Sequence, residues 1–536
     1  MDTTRRGAIG AALGASLLPG MAAAKAPHPA PRPKPTSSLR PVKVPAPRAF
    51  TADWASLTAG YSAPDWFRDA KFGIWAHWGA PSVPGIGDDW YGRQMYLQGT
   101  PTYAHHLKTY GHPSDTGFME IQNLWKAEKW DPARLLDLYK RAGARYFMAL
   151  ANHHDNLDTF DSAHHAWNAT RVGPKKDIIG TWAKLARQRG LKFAVSNHSG
   201  HAWHWNQVAY DYDPEGPRQG QRYDAAKLTK ADGKGKWWEG LDPQDLYTGS
   251  SMPMPDGIPS IAEANAWHAM TDGQWNEGVP ASGHFVEKWL LRCKNLVDKY
   301  QPDMLYFDNH DLPLQQAGLD MAAYFYNRSL QWHGGKLDVV LTAKETAPQR
   351  RMGLVDVVER GGRSDIERYP WQTETCLGNW FYGEQYYRED RYKTPAKVIH
   401  TLCDVVSKNG NLMLSVPIRA DGTIDDKEEK IVERIGQWLG RHGAAIYDSR
   451  PWRLWGEGPT RGSTGAFSEG GNTSPYGAND IRYTTKGGNL NALVLGWPAD
   501  GVVRLPLLGA ANPVGRGQVK RVTLANDSAP LAFTRK

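Results

Sequence analysis

Short apolar runs alternate with amphipathic helical patterns through most of this chain, and that alternation limits what it can fold into. Seven runs are predicted as buried strands, at 72–76, 146–150, 192–195, 304–307, 339–341, 355–358 and 412–416. Helical spacing of apolar residues occurs between them, at 132–142, 178–188, 285–300, 321–332 and 395–407. Strand–helix alternation favours a parallel sheet, and seven or eight such strands predict an α/β fold of the closed (β/α)8 TIM-barrel type.

An open, doubly wound sheet is the structural alternative to a barrel. No glycine-rich phosphate loop follows any predicted strand, so nothing in the sequence indicates a dinucleotide cofactor. From about residue 448 the pattern changes to short apolar runs, at 490–495, 502–505 and 519–524, separated by Gly, Pro, Asn and Asp. We therefore predict a catalytic barrel at 51–447 and a C-terminal antiparallel β-sandwich at 448–536.

The N-terminal residues have the composition of an export signal and a tether. Residues 1–24 contain Arg5 and Arg6, then a weakly apolar run, and end in three consecutive alanines, which is typical of a twin-arginine signal. Residues 25–50 are rich in proline and contain six basic residues and no acidic one, which predicts an extended linker. We expect export to the periplasm or the extracellular space.

Charge and cysteine content argue against a nucleic-acid partner and against a cysteine-based metal site. The chain has 64 Lys and Arg against 56 Asp and Glu, a net charge of +8. Most of this excess lies before residue 51, so the folded part is close to neutral and we predict no nucleic-acid partner. The three cysteines are widely spaced and show no metal-binding pattern. No later apolar stretch is long enough to cross a membrane, so we expect a soluble mature protein.

Histidines cluster where the predicted strands stop. His77 follows the first strand, His153 and His154 follow the second, and His198 follows the third. Asp308 stands at the end of the fourth. Because a barrel forms its active site at the carboxyl ends of its strands, we expect these side chains to meet.

Two chemistries could use this cluster, and a third possibility is binding without catalysis. A metal-dependent hydrolase would take the histidines and Asp308 as ligands. A glycoside hydrolase would pair Asp308 with a second carboxyl group. The chain has 23 Trp and 23 Tyr, many in loop-like segments. Aromatic faces with polar edges suit a sugar ring and favour the glycosidase, or a carbohydrate-binding protein that lacks catalysis.

Three motifs identify a family resemblance. The segment at 66–79, WFRDAKFGIWAHWG, the NHHD at 152–155 and the VSKNGNLML at 406–414 closely resemble the α-L-fucosidases of glycoside hydrolase family 29. The resemblance covers roughly residues 60–450. It implies a (β/α)8-like barrel followed by a β-sandwich, and release of terminal α-L-fucose from a fucosylated oligosaccharide or glycoconjugate with retention of configuration. It also implies that no metal or other cofactor is needed.

The resemblance assigns roles to several residues. It makes Asp308 the catalytic nucleophile, and His77, His153 and His154 the ligands of the sugar hydroxyls. Asp89 matches a position that contacts the sugar, where the family more often has Glu.

The remaining substrate-binding residues come from our interpretation of the sequence around the motifs. His198 is inferred to bind a hydroxyl, although its segment departs from the family pattern. Trp90 and Trp380 are predicted to form apolar walls against the sugar, including its C5 methyl group.

The acid/base glutamate lies in a variable part of the family, and four candidates stay open. Glu359 directly follows the strand at 355–358 and is our first choice. Glu345 also follows a strand and comes next. Glu367 and Glu374 are the other two.

Overall fold

Eight parallel strands close into a barrel in chain order, with β8 hydrogen-bonded to β1. They are β1 Phe72–Ala76, β2 Tyr146–Asn152, β3 Lys192–Asn197, β4 Met304–His310, β5 Val340–Lys344, β6 Val355–Glu359, β7 Trp371–Cys376 and β8 Gly410–Ser415. All seven predicted strands are present. The closed barrel is confirmed over the open sheet.

Sixteen α-helices occur among the described residues. They are α1 Trp54–Gly60, α2 Asp65–Ala70, α3 Tyr91–Gln94, α4 Pro101–Thr109, α5 Phe118–Leu124, α6 Pro132–Arg141, α7 Ile178–Gln188, α8 Ala202–Trp205, α9 Asp224–Lys227, α10 Pro243–Leu246, α11 Ile261–Asp272, α12 Gly283–Tyr300, α13 Gln316–Trp332, α14 Glu384–Arg388, α15 Pro395–Ser407 and α16 Asp426–His442. The five predicted helices all form, and α7 and α15 have the predicted bounds.

The computed structural model describes residues 49–272, 281–470, 475–515, 517, 519–525, 527 and 529–536. The export signal predicted at 1–24 lies outside the described residues, as does the linker predicted at 25–50 except for its last two residues. Phe50 is buried and exchanges two hydrogen bonds with the Asn327 side chain. The folded part of the chain therefore includes residue 50.

Alternation along each strand separates two apolar cores. Ile74 of β1 packs with the helices outside the barrel, whereas its neighbour Trp75 packs inside with Tyr146, Met148 and Tyr306. Because successive strand residues point to opposite faces, every second residue from Trp75 or Tyr306 onward faces the interior. The same alternation brings the residues at the strand ends to the mouth of the barrel.

Two strands differ from the prediction in ways that affect the site. β7 was not predicted, because its interior positions are the polar Gln372 and Glu374 rather than apolar residues. β5 runs three residues further than predicted and ends at Lys344. A search for apolar runs therefore misses strands whose interior residues near the barrel mouth are polar.

The C-terminal region contributes a separate antiparallel sheet of three strands, β9 Arg450–Glu457, β10 Ile481–Lys486 and β11 Asn489–Val494. This confirms the predicted antiparallel architecture there. The apolar runs at 502–505 and 519–524 lie outside these strands, and Val502, Val503 and Leu524 are exposed. The boundary near residue 447 stays a prediction.

Membrane-spanning segments were sought in the part of the chain that the structure describes. None of its helices is both long and apolar enough to cross a bilayer.

Candidate active site

Four histidines from three strand ends meet at the mouth of the barrel. The ring of His77 lies 5.2 Å from that of His153 and 5.3 Å from that of His198. His153 and His198 are 5.0 Å apart, and His154 is 4.3 Å from His153. All four are buried. The structure therefore brings together the histidines that the sequence placed after β1, β2 and β3.

Asp308 lies against this cluster, two residues beyond Tyr306 on the interior face of β4. Its Oδ2 is 3.2 Å from His154 Nε2 and 3.1 Å from His198 Nδ1. Its Oδ1 is 3.1 Å from the Tyr306 hydroxyl, and its carbonyl oxygen accepts a hydrogen bond from His201 Nε2. Three side chains thus contact the carboxylate, and His201 holds the backbone of the same residue.

Lys344, the last residue of β5, contacts three carboxyl groups at once. Its Nζ forms ion pairs with Asp308 Oδ1 and Glu359 Oε2, and it lies 3.8 Å from Glu374 Oε1. Burial disfavours the charged form of Lys344, but these three carboxyls outweigh it and raise its pKa well above the usual value. Lys344 is therefore a cation that links the end of β4 to the ends of β6 and β7.

The ionisation of Asp308 follows from the same contacts. Burial opposes its charged form, but Lys344 and then His198 hold the pKa of the carboxyl well below its usual value. Asp308 is therefore an anion at neutral pH, in a site with little solvent.

Glu359 and Glu374 are neighbours in the β6–β7 register but differ in access. Glu359 ends β6, keeps 8 % of its surface exposed and accepts a hydrogen bond from Trp380 Nε1 at 3.1 Å. Glu374 lies two residues before the end of β7, has no exposed surface and is 2.8 Å from the Tyr306 hydroxyl. Burial, followed by repulsion from Glu359 and Asp308 against the attraction of Lys344, raises the pKa of Glu374 above its usual value.

The other two acid/base candidates lie apart from Asp308. Glu345 is exposed, has a left-handed backbone with φ +44° and lies 3.5 Å from His310. Glu367 precedes β7, and its backbone N–H donates to the carbonyl oxygen of Lys408, just before β8. The beginnings of β7 and β8 lie at the opposite end of the barrel from the site. Glu367 therefore lies at that opposite end.

The predicted aromatic walls surround the cluster. Trp380 packs 5.5 Å from the rings of His77 and Trp75. Trp90 lies 5.0 Å from Trp205, which stacks on His154 at 4.7 Å. These rings form apolar surfaces on two sides of the histidines.

Asp89 precedes Trp90 in the chain and lies near Glu359. Burial, and then the charge of Asp88, raises the pKa of Asp89 to about 7, and Glu359 and Arg360 are close enough to contribute. The segment before Asp89 is held by a β-bridge between Ile86 and Gly383. All nine predicted site residues thus lie around one cluster at the barrel mouth.

His77, His153 and His154 are neutral donors and acceptors. Burial is the main cause that lowers the pKa of His77 and His153 well below the usual value, and that of His154 to about 3. Buried nitrogen atoms of the cluster that have no hydrogen-bond partner among the described residues include His77 Nδ1, His153 Nδ1, His198 Nε2 and Trp75 Nε1. Hydroxyl groups of a ligand, or water, can satisfy them.

The same side chains also have the donor types that bind a metal ion. The ligand atoms of His77, His153 and His198 lie within 4.8 Å of one another, as do those of His154, His198 and Asp308. Neutral imidazole and carboxylate both coordinate zinc. Lys344 works against an ion in the second group, because it already neutralises Asp308.

Sequence reasoning missed Lys344 and Tyr306. Continuing the alternation of β5 from Val340 through Thr342 would have placed Lys344 inside the barrel and Glu345 outside. The same count on β4 would have placed Tyr306 beneath Asp308. The signal that could have found them is the two-residue alternation of each strand, continued beyond its last apolar residue.

Comparison with known proteins identifies the family. Residues 38–444 match the family model described as α-L-fucosidase. The chain belongs to the α-L-fucosidase family, glycoside hydrolase family 29. This confirms the resemblance carried by the three sequence motifs.

Relatives of the fucosidase family match over most of the chain. The human tissue α-L-fucosidase is 26% identical over 464 residues, which are 86% of this chain and 81% of that protein. The human plasma α-L-fucosidase is 25% identical over 491 residues, with 88% and 85% covered. The α-fucosidase of Thermotoga maritima in complex with a mechanism-based inhibitor superposes with a TM-score of 0.59 at 26% identity, covering 84% of this chain and 87% of that one.

Proposed function

We propose that this protein is an exo-acting, retaining α-L-fucosidase that releases terminal α-L-fucose from fucosylated glycans through a covalent fucosyl-enzyme intermediate. The observation that carries the proposal is that one ammonium group, Lys344 Nζ, pairs with the carboxylates at the ends of both β4 and β6. Family membership supports the identity of the sugar.

The separation of the two carboxyls supports retention of configuration. Asp308 Oδ1 and Glu359 Oε2 both contact Lys344 Nζ. The distance between these two oxygens therefore cannot exceed the sum of their distances to Nζ. Retaining glycosidases hold their carboxyl groups about 5–5.5 Å apart, whereas inverting ones leave about 6.5–9.5 Å for a water. The contacts through Lys344 fit the shorter range.

Asp308 is the nucleophile in this mechanism. Its carboxylate attacks the anomeric carbon, the bond to the leaving oxygen breaks, and a glycosyl ester forms. Lys344 and His198 keep Asp308 ionised, and the hydrogen bonds of Tyr306 and His154 aim it.

Glu359 is the acid/base residue. It protonates the leaving oxygen in the first step, and in the second it takes a proton from the water that breaks the ester to Asp308. Glu359 keeps solvent access, whereas Glu374 is sealed beneath Tyr306 and Lys344. As substrate enters, Glu359 has to exchange its contact with Lys344 for the glycosidic oxygen.

Glu374 has a positioning role in this mechanism. Its raised pKa favours a neutral carboxyl whose O–H donates to the Tyr306 oxygen, while Tyr306 donates to Asp308. That chain of hydrogen bonds orients the nucleophile from below.

The histidines and aromatic rings recognise the sugar. The unpartnered nitrogens of His77, His153 and His198 can bind hydroxyl groups of fucose. Trp90 and Trp380 supply apolar faces for its C–H bonds and C5 methyl group. The raised pKa of Asp89 makes it a hydroxyl ligand that can also donate.

Export to the periplasm or outside the cell is part of the proposal. It is supported by the paired arginines and weakly apolar run within residues 1–24. Fractionation of cells that express the full chain, compared with an Arg5→Lys/Arg6→Lys variant, tests it: retention of the variant alone in the cytoplasm supports a twin-arginine signal.

A metal-dependent hydrolase on the same barrel is the second candidate. The observation in its favour is the group formed by His77, His153 and His198. A carbohydrate-binding protein without catalysis is the third, and it predicts fucose binding without any product.

Stereochemistry tests the leading proposal directly. Hydrolysis of 4-nitrophenyl α-L-fucoside, followed by proton NMR, is expected to show α-fucose as the first product. A slow fluorinated fucosyl substrate is expected to label Asp308 in a peptide mass map. First release of β-fucose, or a label on another residue, would contradict the mechanism.

A further inference from the structure

A loop of the C-terminal region runs along the segment that carries the proposed acid/base. The backbone N–H of Phe467 donates to the carbonyl oxygen of Glu359 at 2.8 Å. Gly465 N–H donates to Gly362, and Glu469 N–H donates to Arg360, each at 2.9 Å. The loop at 461–470 therefore pairs with the chain just beyond β6, at the mouth of the barrel.

Side chains lock this loop to the barrel. Glu469 Oε1 lies 2.8 Å from Arg360 Nε and 3.0 Å from Lys393 Nζ, and its Oε2 accepts from the Thr375 hydroxyl at 2.6 Å. Gly361 passes so close to Gly465 that a Cβ there would meet the Gly465 carbonyl oxygen at 1.8 Å. The path of the loop is thus fixed at several points.

Phe467 stands out within this fixed loop. Its neighbour Ala466 packs against Val358 and Trp371, but Phe467 itself is 67% exposed. Its φ is +53°, in the left-handed region that a bulky L-residue rarely adopts. Strained residues that the surroundings hold in place concentrate at binding sites. The backbone of Phe467 is therefore bonded to that of Glu359, and its aromatic ring is exposed to solvent.

We propose that Phe467 is a platform for the leaving-group sugar, so that the C-terminal region completes the active site on its aglycone side. This inference rests on the proposed function. Glu359 protonates the leaving oxygen, so the sugar attached to that oxygen has to lie next to Glu359. The exposed ring of Phe467 offers its face to the C–H bonds of a pyranose, and the ligand class is the penultimate sugar ring of a fucosylated oligosaccharide.

Two substrates that share fucose but differ in the leaving group test the platform. α-L-Fucosyl fluoride has no leaving-group sugar, whereas a fucosylated disaccharide, chosen as the best substrate among the α1,2, α1,3, α1,4 and α1,6 linkages, has one. Phe467→Ala is expected to lower the ratio of kcat/KM for the disaccharide to that for the fluoride about five- to tenfold, mainly through KM of the disaccharide.

Matched variants separate the ring from the loop. Phe467→Trp keeps an aromatic face and is expected to retain the wild-type ratio. Trp497→Ala removes a 90% exposed ring elsewhere in the C-terminal region and is expected to leave kcat/KM unchanged for both substrates. Alanine keeps the left-handed backbone about as unfavourable as Phe does, so the loop strain is unchanged.

Other outcomes would overturn the platform. Equal losses of kcat/KM for the fluoride and the disaccharide would mean that Phe467 only stabilises the loop at 461–470 and, through it, Glu359. An unchanged disaccharide rate would mean that the ring touches no leaving group. If the wild-type protein releases fucose from neither substrate, the proposed function itself fails.

Discussion

The interior of the barrel has two neighbouring layers with the same strand alternation and different chemistry. The upper layer, formed by Asp308, Lys344 and Glu359, opens to the mouth, whereas the lower layer, formed by Tyr306 and Glu374, is sealed. Both contain a carboxyl group within reach of Lys344. Burial, together with repulsion from Glu359 and Asp308, raises the pKa of Glu374 in the lower layer, while Lys344 and His198 keep Asp308 ionised above it. Access to solvent therefore decides which carboxyl can meet a substrate and which can only support the other.

Removal of the upper-layer nucleophile is expected to have the largest effect. Asp308→Ala should lower kcat about 10⁴-fold or more, because no other upper-layer carboxylate can reach the anomeric carbon. The measurement is hydrolysis of 4-nitrophenyl α-L-fucoside with and without azide. Azide should restore turnover and give β-fucosyl azide; an unchanged rate in the variant would refute the assignment.

Replacing the glutamate of each layer by glutamine tests most directly whether the two layers have different roles. Glu359→Gln should lower kcat/KM about 10²–10⁴-fold on a fucosylated disaccharide and much less on a 2,4-dinitrophenyl fucoside, whose leaving group needs no proton. Glu374→Gln should lose less than about tenfold, and by the same factor on both substrates, because glutamine still donates to Tyr306. A leaving-group dependence in the Glu374 variant would transfer the acid/base role to the lower layer.

Removal of the cation that joins the layers should change the pH profile. Lys344 lowers the pKa of Asp308, so Lys344→Met raises it, and more of Asp308 is protonated at acidic pH. The acid limb of kcat/KM should therefore move to higher pH, with a loss of about 3–5 kcal/mol in unfolding free energy from unpaired buried carboxylates. Urea unfolding measures the stability. Lys344→Arg keeps the charge and is the control; an acid limb that does not move in Lys344→Met would argue against this coupling.

Chelation is expected to have the smallest effect. Overnight dialysis against 1,10-phenanthroline should leave the fucosidase activity within about twofold of a control dialysed without the chelator, because hydroxyl groups rather than a metal ion satisfy the histidines. Loss of activity that added zinc restores would favour the metal-dependent candidate and assign a ligand role to His77, His153 and His198.

Much of the fold could be predicted from apolar periodicity, and the exceptions share one cause. β1 and α7 follow the predicted bounds because their residues alternate or repeat in a regular apolar pattern. β7 and the end of β5 were missed because interior positions near the mouth are polar, as Glu374 and Lys344 are. The residues that end an apolar pattern early are the ones that enter the site.

The sequence by itself determined the parallel barrel, the family, and which strand ends carry the histidines and Asp308, because local periodicity and motif spacing are properties of the chain. Only the tertiary structure decided between Glu359 and Glu345 as neighbours of Asp308, and it alone revealed Lys344 between three carboxyls and Phe467 beside Glu359. Those relations join residues from different strands and from the C-terminal loop. Closure of the barrel sets their distances, and no local pattern records them.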